Sequence, residues 1–200
     1  MNKLKFEEIE LFKVSVFKTN LSGLVDNSYL HSYLETKQSD IKWDDPNTFN
    51  ISPEQISDLL KVIKKVFVGI DPRIKRFLMN AVWGHVIRPG ETGEVHNHSW
   101  RFRDPTVISW IYYVNVPEKA GPIRFHPEYK SIDVGIFPKD YDLIVFNGEL
   151  HHSVQRNMSD ETRFSIAGNI VLDEQIRNSA SDKLAKYMNR HTFYPRRLIK

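Results

Sequence analysis

The chain of 200 residues contains no cysteine. Disulfide bonds and thiolate ligands are therefore excluded, and any bound metal must use histidine, carboxylate or backbone oxygen. No segment approaches the roughly 20 apolar residues of a membrane-spanning helix. Near the N-terminus, Glu7, Glu8 and Glu10 interrupt the apolar stretch that a secretion signal would need. We therefore expect a cytoplasmic protein with no part in a membrane.

An excess of charge of one sign is also lacking. The formal net charge is +3, and the basic residues form no stripe interleaved with aromatic side chains, so nucleic-acid binding is not expected. Apolar residues make up 40% of the chain and charged residues 26%, which is typical of globular proteins. This length supports a single domain with a sizeable core. The oligomeric state, a homodimer included, stays open.

The first third of the chain mixes strand and helix patterns. Apolar residues nearly alternate over residues 10–19, which predicts a strand. Residues 27–36 predict a short helix that has Tyr29, Leu30, Tyr33 and Leu34 on one face, and residues 38–50 predict a loop.

The clearest helix pattern begins at Ser52. Ser52 can cap a helix, Pro53 suits its first turn, and Gln55 completes a capping box. Apolar residues follow at helical spacing, and Gly69 is placed to end the helix. A second short helix is expected after Pro72.

A strand-rich texture then runs from residue 77 to residue 172. Runs of β-branched and aromatic residues, separated by turn residues, predict five to eight short strands that form a sandwich or barrel. The runs are FLMNAVWGHVI, TVISWIYYVNV, GPIRFHP, YDLIVFN and RFSIAGNIVL. The expected organisation is a strand and supporting helices over residues 1–76, a β core over residues 77–172, and a helix and irregular tail over residues 173–200.

Two histidine clusters lie inside the β region, at His96-Asn97-His98 and at His151-His152. Residues two apart on a strand share a side, so His96 and His98 can converge on one ion. Neutral imidazole is a good ligand for Fe(II), Zn or Cu. Because His151 and His152 are adjacent, only one of them should reach the same ion. Surface or core packing accounts for either cluster taken singly, whereas a barrel metal site needs ligands from separate strands.

Arg163 opens the last strand-like run, 11 residues beyond His152. An arginine that points into a barrel is costly unless it meets an anion, and its planar guanidinium suits a carboxylate. The alternative is an arginine at a strand edge that faces water.

Two histidines, then one histidine, then one arginine is an order that resembles the 2-oxoglutarate- and Fe(II)-dependent oxygenases of the prolyl-hydroxylase type. Within that superfamily, the chain is most similar to a little-characterised bacterial and phage subgroup with a His-x-His motif. The resemblance covers residues 77–172 well and the N-terminal third loosely. It implies a mainly β, double-stranded β-helix fold, which is a cupin-like jelly-roll barrel with N-terminal helices and a C-terminal helix. The similar segments are PGETGEVHNH, TVISWIYYVN, AGPIRF, PKDYDLIVFNGELHHSV and RFSIAGNI.

The resemblance also implies a role for each matching residue. His96 falls on the first metal histidine, and His152 falls on the distal one because it keeps the Leu-x-His-x-Val register. Arg163 falls on the residue that binds the distal carboxylate of 2-oxoglutarate, with Tyr113 as its hydrogen-bonding helper. The implied cofactor is Fe(II), and the implied co-substrates are 2-oxoglutarate and O2. The implied activity is hydroxylation of an unidentified substrate with release of succinate and CO2.

The chain departs from the family pattern at two positions. His98 stands where the usual iron triad has a carboxylate, which makes the site one negative charge poorer. Glu94 and Asp104 are alternative third ligands, although the family's ligand order disfavours Glu94 and Asp104 lies in an expected loop. Tyr141 stands where the family has a glycine.

Two other functions fit the same residues. A cupin-type metalloenzyme that uses three histidines and no 2-oxoglutarate would account for the missing carboxylate. A barrel that binds a ligand or partner without catalysis would leave the histidines without an ion. His85 and His126 are interpreted as strand histidines that line the barrel mouth without a direct role, and Trp83, Trp100 and Trp110 as packing residues.

Overall fold

A computed structural model describes residues 15–41, 47–70, 77–98, 107–126, 133–172 and 197–198. Two β-sheets face each other, and the helices lie against the outer face of the larger sheet. None of the helices in these ranges has the length and apolar character that a membrane crossing requires. In chain order the elements are β1 (Val16–Asn20), α1 (Asn27–Lys37), a 3-10 helix (Gln38–Asp40), β2 (Thr48–Asn50), a second 3-10 helix (Pro53–Ile56), α2 (Ser57–Ile70), β3 (Phe77–Ile87), β4 (Gly93–His96), β5 (Val107–Asn115), β6 (Ile123–Phe125), β7 (Val134–Ile136), β8 (Asp142–Asn147), β9 (His152–Val154), β10 (Arg163–Leu172) and β11 (Arg197–Leu198).

The sheet order is that of a double-stranded β-helix. The larger sheet has the order β1-β8-β5-β10-β3-β11, with β2 also paired to β3, and the smaller sheet has the order β4-β9-β6-β7. When β3 to β10 are counted from one to eight, the two sheets read 6-3-8-1 and 2-7-4-5, and their strand pairs are antiparallel. The mainly β jelly-roll fold expected from the sequence is therefore confirmed.

The outer face of the larger sheet packs against α1 and α2. Leu34 of α1 and Ile63 and Phe67 of α2 are buried in one apolar cluster with Trp110 of β5 and Ile166 of β10. The apolar residues of α2 recur at helical spacing, so a single face of that helix covers the sheet.

The inner face of the larger sheet packs against the smaller sheet. Ile111 of β5 and Ala167 of β10 are buried in a second cluster with Ile123 and Phe125 of β6. Side chains alternate along β10, so Ile166 faces the helices while Ala167 faces the barrel interior. This double burial explains why β10 reads as an almost continuous apolar run.

Several predicted elements match the structure. The strands expected at residues 77–87 and 163–172 are β3 and β10, and eight strands occupy the described part of the predicted core. The helix expected at residues 27–36 is α1, whose N-cap Asp26 accepts hydrogen bonds from the backbone N–H groups of Ser28 and Tyr29. Tyr29 stacks on Tyr33 of the same helix but is 53% exposed, so the predicted face is buried only in part.

Three local predictions need correction. Ser52 forms no side-chain cap, because its hydroxyl bonds to the carboxylate of Glu54. A 3-10 helix therefore precedes α2, which begins only at Ser57. The loop predicted at residues 38–50 contains a 3-10 helix and the strand β2, and the tail predicted to be irregular contributes β11.

Other predicted elements cannot be compared with the structure. The strand predicted at residues 10–19 is seen only as β1, since its first half lies outside the described residues. The short helix expected after Pro72 and the helix expected after residue 172 also lie outside them. The division into residues 1–76, 77–172 and 173–200 stays a prediction.

Gly168 provides a test of the packing between the larger sheet and the helices. A Cβ atom at Gly168 would lie 2.5 Å from the ring of Trp110 and 2.8 Å from the backbone oxygen of Ala81. We expect Gly168→Ala to lower the free energy of unfolding by about 1–3 kcal/mol, because the fixed sheet cannot yield.

In the matched control, a Cβ at Gly69 of α2 meets no atom within 4 Å. Gly69→Ala should therefore raise stability by about 0.5–1 kcal/mol. Urea denaturation of both variants measures the difference, and equal effects would contradict the packing.

Candidate metal centre

Strands β4 and β9 bring two histidines together. In their antiparallel register His96 lies opposite His152, and the two ring centroids are 4.4 Å apart. Residues directly opposite in an antiparallel pair project to the same side of the sheet. The pairing of the two strands is therefore sufficient to bring both imidazoles to one point.

His98 completes the group just beyond the end of β4. Its backbone N–H donates to the carbonyl of Gly148 at 2.7 Å, which holds the chain beside the turn before β9. Its Nε2 lies 3.2 Å from Nε2 of His152. The potential ligand atoms of His96, His98 and His152 all lie within 4.8 Å of one another.

This spacing fits a common metal ion. Two nitrogens that each lie about 2.1 Å from a metal, roughly at right angles, are about 3 Å apart. The distance between the Nε2 atoms of His98 and His152 is close to that value. Within the described ranges this group contains no carboxylate, so the donor set is three neutral nitrogens, which suits Fe(II), Zn or Cu.

Backbone carbonyls orient two of the three rings. Nδ1 of His96 lies 2.8 Å from the carbonyl oxygen of Glu94, and Nδ1 of His152 lies 2.9 Å from that of Leu150. A carbonyl can only accept, so each Nδ1 carries the hydrogen. In the neutral tautomer the Nε2 lone pair is then free to bind a metal.

The protonation state of the buried rings also favours a metal. Burial, followed by the charges of the neighbouring histidines, lowers the pKa of His98 to about 3. Burial and His96 lower the pKa of His152 to about 4. Both rings are therefore neutral near pH 7, and metal binding displaces no proton from them.

The other candidates lie away from this point. Nε2 of His151 accepts from the side-chain amide of Asn97 at 3.1 Å, and Glu94 is exposed. His126 is 2.9 Å from both Ser153 Oγ and Asp133, so it faces away from His152. Asp104 and Trp100 lie outside the described residues.

A buried arginine lies on the inner face of the same barrel. Arg163 is 1% exposed, and its Nη1 donates to the carbonyls of Ala120 at 3.3 Å and Gly121 at 3.1 Å. Its Nε is buried without a hydrogen-bond partner, and no carboxylate in the described part of the chain forms an ion pair with it. A buried cation with an unused donor is costly unless an anion completes its shell.

Tyr113 flanks this guanidinium. The central carbon of the Arg163 guanidinium lies 5.8 Å from the centroid of the Tyr113 ring. Burial raises the pKa of Tyr113 to about 12, although the charge of Arg163 opposes the shift. Tyr113 therefore keeps its phenolic hydrogen and can donate it to an anion held by Arg163.

The registers of three adjacent strands arrange the inner face in rows. Ser165 on the central strand β10 lies opposite His85 on β3 and opposite Tyr113 on β5. Arg163 lies in the preceding row. Residues two apart on a strand are separated by about 6.6–6.8 Å, so this polar row adjoins the guanidinium.

The next row reaches the histidines. Ala167 lies opposite Trp83, and the Trp83 ring is 5.4 Å from the ring of His98. The inner face thus runs from a buried cation, through a polar row, to three imidazoles. Trp83 packs against His98, and Trp110 is buried against the helices. Both are packing residues, as predicted from the sequence.

Sequence inspection missed Ser165 and gave His85 no role. Ser165 could have been found from strand alternation, because it lies two residues after Arg163. The position of His85 beside Arg163 could not have been found in this way, because it depends on which residue of β10 lies opposite His85.

Tyr141, which stands in place of the family's glycine, has a simple structural explanation. Its φ is +69°, in the left-handed region that glycine adopts most readily. Its backbone N–H donates to Tyr113 at 2.9 Å, and its carbonyl accepts from Leu21 at 2.8 Å. These bonds hold the turn in the conformation that a glycine would take freely.

Comparisons with known proteins agree with this fold. No protein-family model and no curated protein sequence matches the chain. Among solved structures, it is similar to a prolyl-4-hydroxylase from Pseudomonas putida, with a TM-score of 0.60 and 16% identity over 78% of this chain and 91% of that chain. It is also similar to a prolyl hydroxylase from Trichoplax adhaerens in complex with a hypoxia-inducible-factor peptide, with a TM-score of 0.60 and 15% identity over 83% of this chain and 87% of that chain.

A third similar structure is SnoK, a non-heme α-ketoglutarate-dependent carbocyclase from nogalamycin biosynthesis. Its TM-score is 0.59, with 11% identity over 78% of this chain and 79% of that chain. At such identities the likeness establishes the fold. The fold and the histidine group together define a double-stranded β-helix protein with a candidate metal centre.

The adjacent pair His151 and His152 offers a matched test of the metal centre. We expect His152→Asn to weaken binding of Mn(II), used as an oxygen-stable stand-in for Fe(II), by more than about 100-fold, because lost outer-shell contacts alone cost 10–100-fold. His151→Asn should bind Mn(II) like the wild type. Calorimetric titration under nitrogen measures both, and equal losses would show that the ligands are assigned wrongly.

Proposed function

We propose that the protein is an Fe(II)- and 2-oxoglutarate-dependent oxygenase that hydroxylates a C–H bond of its substrate. The observation that carries this proposal is the placing of two features inside one barrel. One is the group of three imidazoles, two of which keep a free Nε2 lone pair. The other is Arg163, a buried cation without a carboxylate partner in the described part of the chain.

The proposed reaction balances in atoms and electrons. O2 oxidises 2-oxoglutarate to succinate and CO2, and one oxygen atom enters the new carboxylate of succinate. The other oxygen atom is inserted into a substrate C–H bond, which becomes C–OH. Bound Fe(II) would supply the coordination positions and the redox chemistry for both steps.

The protein's own residues would position the reactants. His96, His98 and His152 would hold the iron through Nε2. Arg163 would bind the distal carboxylate of 2-oxoglutarate, and Tyr113 would donate a hydrogen bond to it. With that end fixed one row beyond the polar row, the keto-acid end would point along the inner face toward the three histidines.

The third histidine changes the charge of the site. Three neutral ligands leave both positive charges of a divalent ion unbalanced, whereas a carboxylate would offset one. A dianionic co-substrate is attracted more strongly to such a site. The site therefore still suits 2-oxoglutarate without the usual carboxylate ligand.

The similar structures support the co-substrate more than the substrate. One is described as a prolyl-4-hydroxylase, one as an α-ketoglutarate-dependent carbocyclase and one as an α-ketoglutarate-dependent epimerase. The α-ketoglutarate named in two of these is 2-oxoglutarate, while the reactions differ. We therefore assign the co-substrates and the oxidative reaction class, and leave the primary substrate unassigned. The cytoplasmic location stays a prediction from the sequence.

The presence of His98 favours one alternative, a three-histidine metalloenzyme of the cupin type that does not use 2-oxoglutarate. Such an enzyme has no need for a buried arginine that lacks a carboxylate partner. Arg163 therefore separates the two functions experimentally.

We expect Arg163→Met to weaken 2-oxoglutarate binding by more than about 30-fold, because truncating a buried charge partner costs 2–5 kcal/mol. The affinity for Mn(II) should not change, because Arg163 is not one of the three proposed metal ligands. Calorimetry on the Mn(II)-loaded protein under nitrogen measures both affinities.

Arg124→Met is the matched control. Arg124 alternates with the inward-facing Ile123 and Phe125 on β6, so its side chain lies on the opposite face of the smaller sheet. This variant should retain the wild-type affinity for 2-oxoglutarate. An unchanged affinity in Arg163→Met would favour the cupin-type alternative.

A further inference from the structure

We propose that His85 is a further co-substrate-binding residue, which donates a hydrogen bond to the distal carboxylate of 2-oxoglutarate from the side opposite Tyr113. The inference rests on the proposed function. It assigns a role to a histidine that strand patterns alone leave on the barrel wall.

The strand registers place His85 at this point. His85 on β3 and Tyr113 on β5 both lie opposite Ser165 on the strand between them. The two side chains therefore flank β10 one row away from Arg163. A carboxylate bound to the guanidinium would lie between them.

The side chain of His85 points into the barrel. A Cβ atom on its neighbour Gly84 would meet Phe49 and Leu34, which belong to the outer cluster beneath the helices. Trp83 lies two residues before His85, so both side chains point to the same face of β3, and Trp83 packs into the inner cluster. Alternation along β3 therefore puts the imidazole on the inner face with Arg163.

His85 has unused hydrogen-bonding capacity. Within the described ranges neither ring nitrogen has a hydrogen-bond partner, although the side chain is half-buried. Its ring nitrogens are not among the fully buried unpaired polar atoms, so they keep access to solvent and can bond to a ligand beside Arg163.

The electrostatic surroundings select a neutral donor. Burial first, then the charges of Arg163, His96 and His152, lower the pKa of His85 to about 3. The ring is therefore neutral near pH 7 and carries a single N–H. It can add a hydrogen bond to the carboxylate without adding a second cation beside Arg163.

The test compares two keto acids on the Mn(II)-loaded protein of 200 residues under nitrogen. 2-Oxoglutarate carries the distal carboxylate, and 2-oxopentanoate has a methyl group in its place. We expect His85→Phe to weaken 2-oxoglutarate binding about 10- to 100-fold, as expected for loss of a hydrogen bond to a charged group. The affinity for 2-oxopentanoate should stay at its wild-type value, as measured by calorimetry.

His85→Gln is the matched variant, because its side-chain amide keeps an N–H donor. It should restore most of the lost affinity. Mn(II) stoichiometry and thermal unfolding verify that both variants are folded and loaded.

Two results would overturn the role of His85 and leave the proposed function standing. One is an unchanged affinity for 2-oxoglutarate in His85→Phe. The other is an equal loss for both keto acids, which would indicate a general disturbance of the pocket. A wild-type protein that binds Mn(II) but not 2-oxoglutarate would instead overturn the proposed function together with this inference.

Discussion

The convergence of three imidazole rings depends on how two short strands pair. Because β4 and β9 are neighbours in register, His96 and His152 face the same side of the sheet. Two backbone carbonyls then take up the Nδ1 hydrogens of these rings. Neutral rings held at this distance in a partly buried site repel each other little, and a shared cation gives their lone pairs a common partner.

The second feature that organises the barrel is the buried guanidinium of Arg163. Its contacts with the carbonyls of Ala120 and Gly121 hold it in place but leave its charge without a counter-ion in the described part of the chain. Such an arrangement is unfavourable for stability alone. It is understandable if an anionic ligand completes it, as the proposed function requires.

The sequence predicted the long elements and the order of the site residues, but not the details that depend on pairing. β3 and β10 were predictable because long apolar runs leave little ambiguity, whereas β7 and β9 have three residues each, too few for a periodic pattern. The alternation of side chains along a strand puts His151 and His152 on opposite faces but does not say which of them faces the ion. The role of His85 follows only from strand register, which a single sequence does not contain.

The most direct test is a crystal structure of the Mn(II)-loaded protein, prepared under nitrogen and soaked with 2-oxoglutarate. The account predicts one Mn(II) bound by Nε2 of His96, His98 and His152, with the keto acid on the metal and its distal carboxylate on Arg163. A metal bound elsewhere, or 2-oxoglutarate that does not contact Arg163, would contradict it.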